Sequence, residues 1–226
     1  VALRYTSHVG SEVETTLAHV EGRDVASGRP VRRFGMHAGM GHYPGWWWSS
    51  TMQDLVGHES LLERERLMLA DFDPDVTAVA SQPFGVTGRD GGVVRRHVPD
   101  YLLLRKGGVV EVVDVKSAEQ LERPEVVEVF EWTSRLMVAK GWKYSIWSGA
   151  DARMLRNVRF LAQGRRVHLV DRHVVVQLVH HARVGMSLRE IVTDTAQLLS
   201  VDRRSVQSAL RFSHQRPRCM VKMTRA

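Results

Sequence analysis

The sequence predicts an α/β protein, a mixed sheet flanked by helices, followed by a basic, all-helical C-terminal module. Three observations carry this. Between Val76 and Trp147, short β-branched and aromatic runs are punctuated by Gly and Pro turns. Two segments in the same half, Glu59 to Phe72 and Pro124 to Gly141, instead carry apolar residues at helical spacing. Past residue 150 the strand signal fades and the charge reverses, with 15 Lys and Arg against 5 Asp and Glu in residues 151–226, a net +10. Residues 1–150 are left at −3 within the overall +7.

Bulk composition narrows the class. A length of 226 residues allows one large domain or a core with a small second domain. Hydrophobic residues at 43% and charged ones at 25% are ordinary for a soluble globular chain. No apolar run approaches the roughly 20 residues of a membrane span, so no membrane partner is expected. Val1-Ala2-Leu3-Arg4-Tyr5 lacks the apolar stretch of a secretory signal. Cys219 is the sole cysteine, which excludes an internal disulfide and a thiolate zinc cluster. A cytoplasmic location is expected. A basic module beside a mildly acidic one predicts one part that binds a polyanion and one with another task.

Residues 1–50 are rich in Gly, His and Trp, show little periodicity, and are expected to form an N-terminal arm folded over the main domain. Within them, Gly41-His42-Tyr43-Pro44-Gly45 reads as turns leading into Trp46-Trp47-Trp48. Three adjacent tryptophans cannot all face one core, so at least one is expected at the surface or a contact. Residues 51–150 are assigned to the core. In its first helix Leu61, Leu62, Met68, Leu69 and Phe72 form one stripe, and Asp73-Pro74-Asp75 ends it because proline disfavours helical backbone before it. Val76 to Val86 reads as strand interrupted near Gln82-Pro83, and Gly88 to Gly92 as a turn. Val93 to Leu104 reads as strand, Lys106-Gly107-Gly108 as a hairpin turn, and Val109 to Val115 as a third strand. Pro124 opens a helix that runs to Gly141, and Trp142 to Trp147 returns as strand.

In residues 151–226 helices are predicted near 151–162, 171–183, 187–199 and 203–213. Ser187-Leu188-Arg189-Glu190 fits a capping box. The Ser200-Val201 joint gives a helix-turn-helix silhouette, and Gln215 to Met223 is expected to form a wing, making this module winged-helix-like.

One constellation carries chemistry. A divalent magnesium ion needs hard oxygen ligands, and phosphodiester cleavage needs a nearby cationic group to stabilise charge or position water. His97-Val98-Pro99-Asp100 places an acid at the entry to one strand, and Val112-Val113-Asp114-Val115-Lys116 places an acid and a lysine two apart on the next. A side-chain period of two projects Asp114 and Lys116 from one face, and a hairpin brings Asp100 toward Asp114. Valines on both sides of Asp114 predict a buried acid, which needs a partner or a metal. This is the PD-(D/E)xK pattern of a restriction-endonuclease-like core, and it predicts a metal-dependent nuclease. The bland alternative is a surface hairpin with a weak Asp–Lys salt bridge. The preceding helix offers Glu59, Glu63 and Glu65 as a further carboxylate, and periodicity does not choose among them.

From about His58 through Lys116 the chain resembles the TnsA-type endonuclease subunit of heteromeric, Tns-type transposons. Ser60-Leu61-Leu62-Glu63 looks like the family's Ser-x-x-Glu helix and Ser81-Gln82-Pro83-Phe84 like its glutamine-containing strand segment. Pro99-Asp100 and Asp114-Val115-Lys116 match its two acidic strand positions. Asn157-Val158-Arg159-Phe160-Leu161 and the following helices are similar to an actinobacterial TnsA-like branch. The resemblance implies catalytic Glu63, Asp100, Asp114 and Lys116, with Gln82 touching phosphate or water. It implies Mg²⁺, with Mn²⁺ as a substitute, held by Asp100, Asp114, Glu63 and the Val115 carbonyl. It also implies DNA as substrate, nicked at the 5′ ends of a transposon, and as partners a DDE-type transposase and an AAA+ regulator.

Several residues carry less. Arg203, Arg204 and Arg211 are candidate DNA contacts, and Arg165-Arg166 also offers phosphate contacts, although a solvated face explains any single arginine. His180-His181 lacks a third zinc ligand at useful spacing, His97 reads as a strand-surface histidine, and Cys219 as a bystander. Two other functions compete. One is a stand-alone PD-(D/E)xK nuclease, restriction-like or a junction resolvase; the other is a non-catalytic DNA-binding regulator using the basic module.

Overall fold

The computed structural model describes residues 1–32, 43–162 and 170–213. The chain divides into two compact units, Val1–Ala150 and Asp151–Ala226. In the first it runs β1 (Ala2–Thr6), β2 (Glu12–Thr16), the short helix α1 (Gly22–Ala26), β3 (Gly45–Ser49), β4 (Asp54–His58) and α2 (Leu61–Phe72). There follow β5 (Val76–Ser81), β6 (Gly85–Asp90), β7 (Val93–His97), β8 (Tyr101–Arg105), β9 (Val110–Val115), α3 (Ala118–Leu121), α4 (Pro124–Lys140) and β10 (Lys143–Trp147).

The central sheet has the order β10-β9-β8-β5. Strand β8 is antiparallel to both β5 and β9, whereas β10 runs parallel to β9. A parallel neighbour needs a crossover, and α3 and α4 provide it. Val112 and Val113 are adjacent yet both fully buried, because both sheet faces are covered. Val113 and Val115 lie with Tyr101 and Leu103 against Leu67 and Ala70 of α2. Leu102 and Val112 share the opposite core with Trp132 and Met137 of α4 and Val25 of α1. Pro124 starts α4 at a position whose N–H would go unbonded anyway. Gly141 ends it in the left-handed conformation at φ 79°, and Trp142 N–H returns to the Met137 carbonyl at 2.9 Å.

A second sheet, β2-β1-β6-β7, is antiparallel throughout. Its Leu3 and Val86 enter the α4-side core. The expected N-terminal arm is therefore corrected: residues 1–32 supply two strands and a helix, and bury Leu3, Leu17, Val20 and Val25. Strand β2 escaped notice because Val13 is its only apolar residue, so alternation has almost nothing to show.

Two further expectations change. The strand predicted from Val93 to Leu104 is two strands in different sheets, with Val98, Pro99 and Asp100 making the passage. Proline lacks the N–H that a continuous ladder would use there. The buried face of α2 runs through Leu67, Met68, Ala70 and Asp71, so of the predicted stripe Met68 is buried while Leu61 is 45% exposed. Glu63, Leu67 and Ala70 stand at i, i+4 and i+7, so the helix turns its Glu63 edge toward the sheet.

Asp71 anchors the hairpin of β3 and β4. It is buried and accepts from Ser49 Oγ at 2.8 Å, Thr51 N–H at 2.9 Å, Ser50 N–H at 3.2 Å and Trp47 Nε1 at 3.2 Å. This divides the tryptophan run as alternation requires, with Trp47 packed on the α2-side core and Trp46 exposed.

The second unit contains α5 (Ala152–Ala162), α6 (Arg172–His181), α7 (Leu188–Leu199) and α8 (Arg203–Ser213). Helices α6, α7 and α8 share a core of Val174, Leu178, Ile191, Val192, Val206 and Leu210. The capping box forms: Glu190 N–H donates to Ser187 Oγ at 3.3 Å and Ser187 N–H to Glu190 Oε2 at 2.6 Å. Ser200 closes α7 in the left-handed conformation at φ 53°. The expected wing at Gln215 to Met223, Arg165-Arg166 and Cys219 lie outside the described residues. Among the described residues no helix is long and apolar enough to cross a membrane.

The Asp71 anchor makes a direct prediction. Asp71→Ala strands several buried donors at once, and the cost is on the order of 3 kcal/mol. A urea titration followed by tryptophan fluorescence checks it, and an unchanged midpoint would contradict the anchoring role.

Candidate active site

The site is built at the end of the β8–β9 hairpin. Gly107 and Gly108 take left-handed φ values of 77° and 79° in the connecting turn, which side chains with a Cβ disfavour. The turn fixes a register in which Tyr101 faces Val113 and Leu102 faces Val112. One step beyond the last pair, Asp100 comes beside Asp114, and Asp100 Oδ2 accepts the Val115 N–H at 2.7 Å. Burial pushes the Asp100 carboxyl well above its ordinary pKa, and the negative charges of Asp114 and Glu63 push it the same way. The Val115 N–H and the Lys116 ammonium oppose that shift without overcoming it.

Glu63 reaches the same cluster from α2. Ser60 caps that helix, accepting the Glu63 N–H at 3.1 Å, and Glu63 accepts from Ser60 Oγ and the Glu59 N–H, each at 2.8 Å. Tyr101, fully buried beside Asp100, donates its hydroxyl to the Glu63 and Gly57 carbonyls, both at 3.3 Å. That wedge ties the first turn of α2 to the start of β8. Burial raises the Glu63 pKa, while the hydrogen bonds from the Glu59 N–H and the Ser60 hydroxyl and the charge of Lys116 work against it without overcoming it. Lys116 itself follows the last residue of β9, and its N–H donates to the Trp147 carbonyl of the β10 end at 3.0 Å. Glu63, Asp100, Asp114 and Lys116 thus form one electrostatic group. Glu65 is half-buried on α2 and makes its own contacts.

Two more residues belong to the site, His97 and Tyr144. His97 was expected on a strand surface, but its side chain is only 15% exposed, with Nε2 at 2.8 and 3.0 Å from the two Asp114 oxygens. Its ring meets Phe130 edge-on, at 5.8 Å between centroids. Tyr144 donates its hydroxyl to Asp114 Oδ2 at 2.5 Å, and burial with the Asp114 charge raises its pKa strongly. The one signal for Tyr144 was a tyrosine in a strand predicted to be buried, whose hydroxyl would need a partner.

Gln82 stands against Asp100 through the backbone, its N–H donating to the Asp100 carbonyl at 2.8 Å. Its φ of 44° is rare outside glycine, it is 3% exposed, and its Oε1 has no hydrogen-bond partner among the described residues. A strained backbone carrying an unpaired buried acceptor is costly, and such features cluster at functional sites.

The donor chemistry is of the kind a divalent cation takes. Asp100, Asp114 and Glu63 offer hard oxygens whose mutual repulsion in a buried place a cation would relieve, and the Gln82 Oε1 is an acceptor without a donor. In the described arrangement Asp114 and Glu63 face protein donors, and among the described residues no three His, Cys, Asp or Glu converge to hold an ion. Ligation would require those two carboxylates to share or exchange their present partners.

In the second unit Arg203 and Arg204 are exposed at the start of α8. Arg211 is not solvent-facing in the same way, because its guanidinium lies 4.7 Å over the Phe160 ring of α5.

Residues 73–149 match the family model described as TnsA-like endonuclease N terminal. This segment is a TnsA-like endonuclease domain. It spans β5 to β10 and holds Gln82, Asp100, Asp114, Lys116, His97 and Tyr144, while Glu63 precedes it on α2. Over residues 73–149 the chain is similar to TnsA-like endonucleases. No curated protein matches the chain.

The raised Asp100 pKa has a stability consequence for the TnsA-like domain. A carboxyl whose folded pKa lies above its unfolded value holds its proton in the native state, so stability falls as pH rises from the ordinary carboxylate range through the raised value. In metal-free buffer at neutral pH, Asp100→Asn is expected to melt above the wild type. The difference should vanish in acid, where both proteins are neutral at this position. Equal melting at every pH would show that the like charges cost nothing.

Proposed function

We propose that the chain is the metal-dependent DNA endonuclease subunit of a heteromeric transposase, nicking DNA at the 5′ ends of a transposon. In this reading residues 51–150 carry a restriction-endonuclease-like core, which the N-terminal strands complete. The observation that carries the proposal is the buried Asp100–Asp114 pair with Glu63 and Lys116 in the same field. A salt bridge on a hairpin surface would leave those acids in water; instead Asp114 is 1% exposed. Burying like charges without a function destabilises a fold.

Asp100 and Asp114, with Glu63 and the Val115 carbonyl, would hold Mg²⁺, and Mn²⁺ would substitute. Bound there, the cation would polarise the phosphate and lower the pKa of water near it. The chain's own residues then divide the work. Lys116 orients the attacking water or offsets the charge that builds on the phosphate oxygens. Glu63 orients water from the α2 side, and Gln82 offers its unpaired oxygen to water or a cation. Water oxygen bonds to phosphorus, the phosphorus–oxygen bond to the leaving nucleotide breaks, and the water proton ends on the leaving oxygen or solvent. The basic second unit, including exposed Arg203 and Arg204, binds DNA or a nucleoprotein partner, in a winged-helix-like manner. A DDE-type transposase and an AAA+ regulator are the proposed partners.

Two measurements test this. Lys116→Ala should abolish single-turnover nicking, assayed on supercoiled plasmid with Mg²⁺ and candidate partner proteins, while folding and DNA affinity stay near wild type. Wild-type rates in the variant would place the active site elsewhere. Asp114→Ala should lose Mn²⁺ binding in calorimetry, and equal binding by both proteins would contradict the assigned ligands.

A further inference from the structure

The outer face of the second sheet carries a groove of about 430 Å³ lined by Arg4, Arg32 and Arg96 together with Gly85, Thr87 and Val98. Three arginines converge there although residues 1–150 carry a net negative charge, and among the described lining residues there is no carboxylate. Strand register explains the convergence. Leu3, Val86 and His97 form one row across the sheet, and the first two are buried. Arg4 pairs with Gly85 and Arg96 with Thr87, in the rows on either side, so both project to the opposite face. Gly85 keeps the floor open: a Cβ there would lie 3.3 Å from Arg4 Nε and 3.6 Å from Val98 Cγ2.

The groove adjoins the candidate active site through its own wall. Arg96 and Val98 line the groove, His97 between them bonds Asp114, and Asp100 follows two residues later. Arg32 is held on the same side, because the Val31 N–H donates to the Gln82 carbonyl at 3.0 Å while Gln82 N–H donates to Asp100. Among the described residues Arg4 has one carboxylate neighbour, Glu12 at 3.3 Å, with both side chains more than half exposed. Such a pair is weak and readily exchanged for a phosphate.

We propose that this groove is a binding site for the phosphodiester backbone of DNA, with Arg4, Arg32 and Arg96 taking phosphates that flank the one cleaved. It rests on the nuclease reading for the identity of the polyanion, and it assigns the acidic unit a DNA contact of its own, apart from the basic second unit. Arginine suits the role because its planar fork meets two phosphate oxygens at once.

The test is DNA affinity of the full chain across a salt series, in EDTA so that no cleavage intervenes. Each phosphate contact contributes about 0.9 to the slope of log affinity against log salt. The triple variant Arg4→Ala, Arg32→Ala, Arg96→Ala should flatten the slope by about 2.7 and weaken binding at low salt. A control with Arg23→Ala, Arg123→Ala and Lys143→Ala removes the same charge from exposed positions outside the groove and should keep the wild-type slope. A wild-type slope in the groove variant, or equal flattening in the control, would overturn the proposal. Because the measurement needs no metal or turnover, a groove that binds DNA in a protein that never nicks would sink the nuclease reading alone. Circular dichroism melts of the single variants confirm folding, since Arg32 and Arg96 are exposed.

Discussion

The hydrogen bond from the Val115 N–H to Asp100 Oδ2, at 2.7 Å, is where the fold and the site become one problem. It ties two strands at the end of their ladder, beyond the last paired residues, and it does so with a carboxylate that burial and two like charges oppose. The surrounding structure has to hold that carboxylate in place. Tyr101 pins α2 to β8 next to it, the glycine turn sets the β8–β9 register, and Gln82 braces its carbonyl from a strained backbone. Removing any one of these would loosen the spacing between the acids.

Asp114 is held differently from Asp100. It receives His97 from the second sheet and Tyr144 from the crossover strand, so three separately folded elements meet at one carboxylate. A carboxylate with two side-chain donors is oriented before any ligand arrives, which lowers the reorganisation left for the chemical step. The same two donors also occupy its lone pairs. The site therefore stores its acids in an internally satisfied arrangement, and a cation would have to compete with those hydrogen bonds for them.

Charge is segregated on two scales. The second unit carries the net +10, but the acidic unit concentrates arginines on one sheet face while its carboxylates gather behind the same strand. Strand β7 separates the two environments because alternation sends Arg96 one way and His97 the other. Only the one strand β7 thus lies between the arginine face and the acidic cluster.

What the sequence determined by itself was local. The β9 strand, the glycine turn before it, α4 with its Pro124 start and Gly141 stop, and the Asp100 and Asp114-Val115-Lys116 spacing all follow from patterns a few residues long. Long-range contact decided the rest. Residues 1–32 read as an arm because β2 has one apolar residue, and its place beside β1 is visible only once β1 pairs with β6. Periodicity left Glu59, Glu63 and Glu65 open; the i, i+4, i+7 ridge through Leu67 and Ala70 turned Glu63 toward Asp100. His97 and Tyr144 reach Asp114 from 17 and 30 residues away, through a sheet change at Pro99 and a crossover through α4. No short-range pattern encodes such approaches, because they depend on how separate elements pack and not on the residues beside them in the chain.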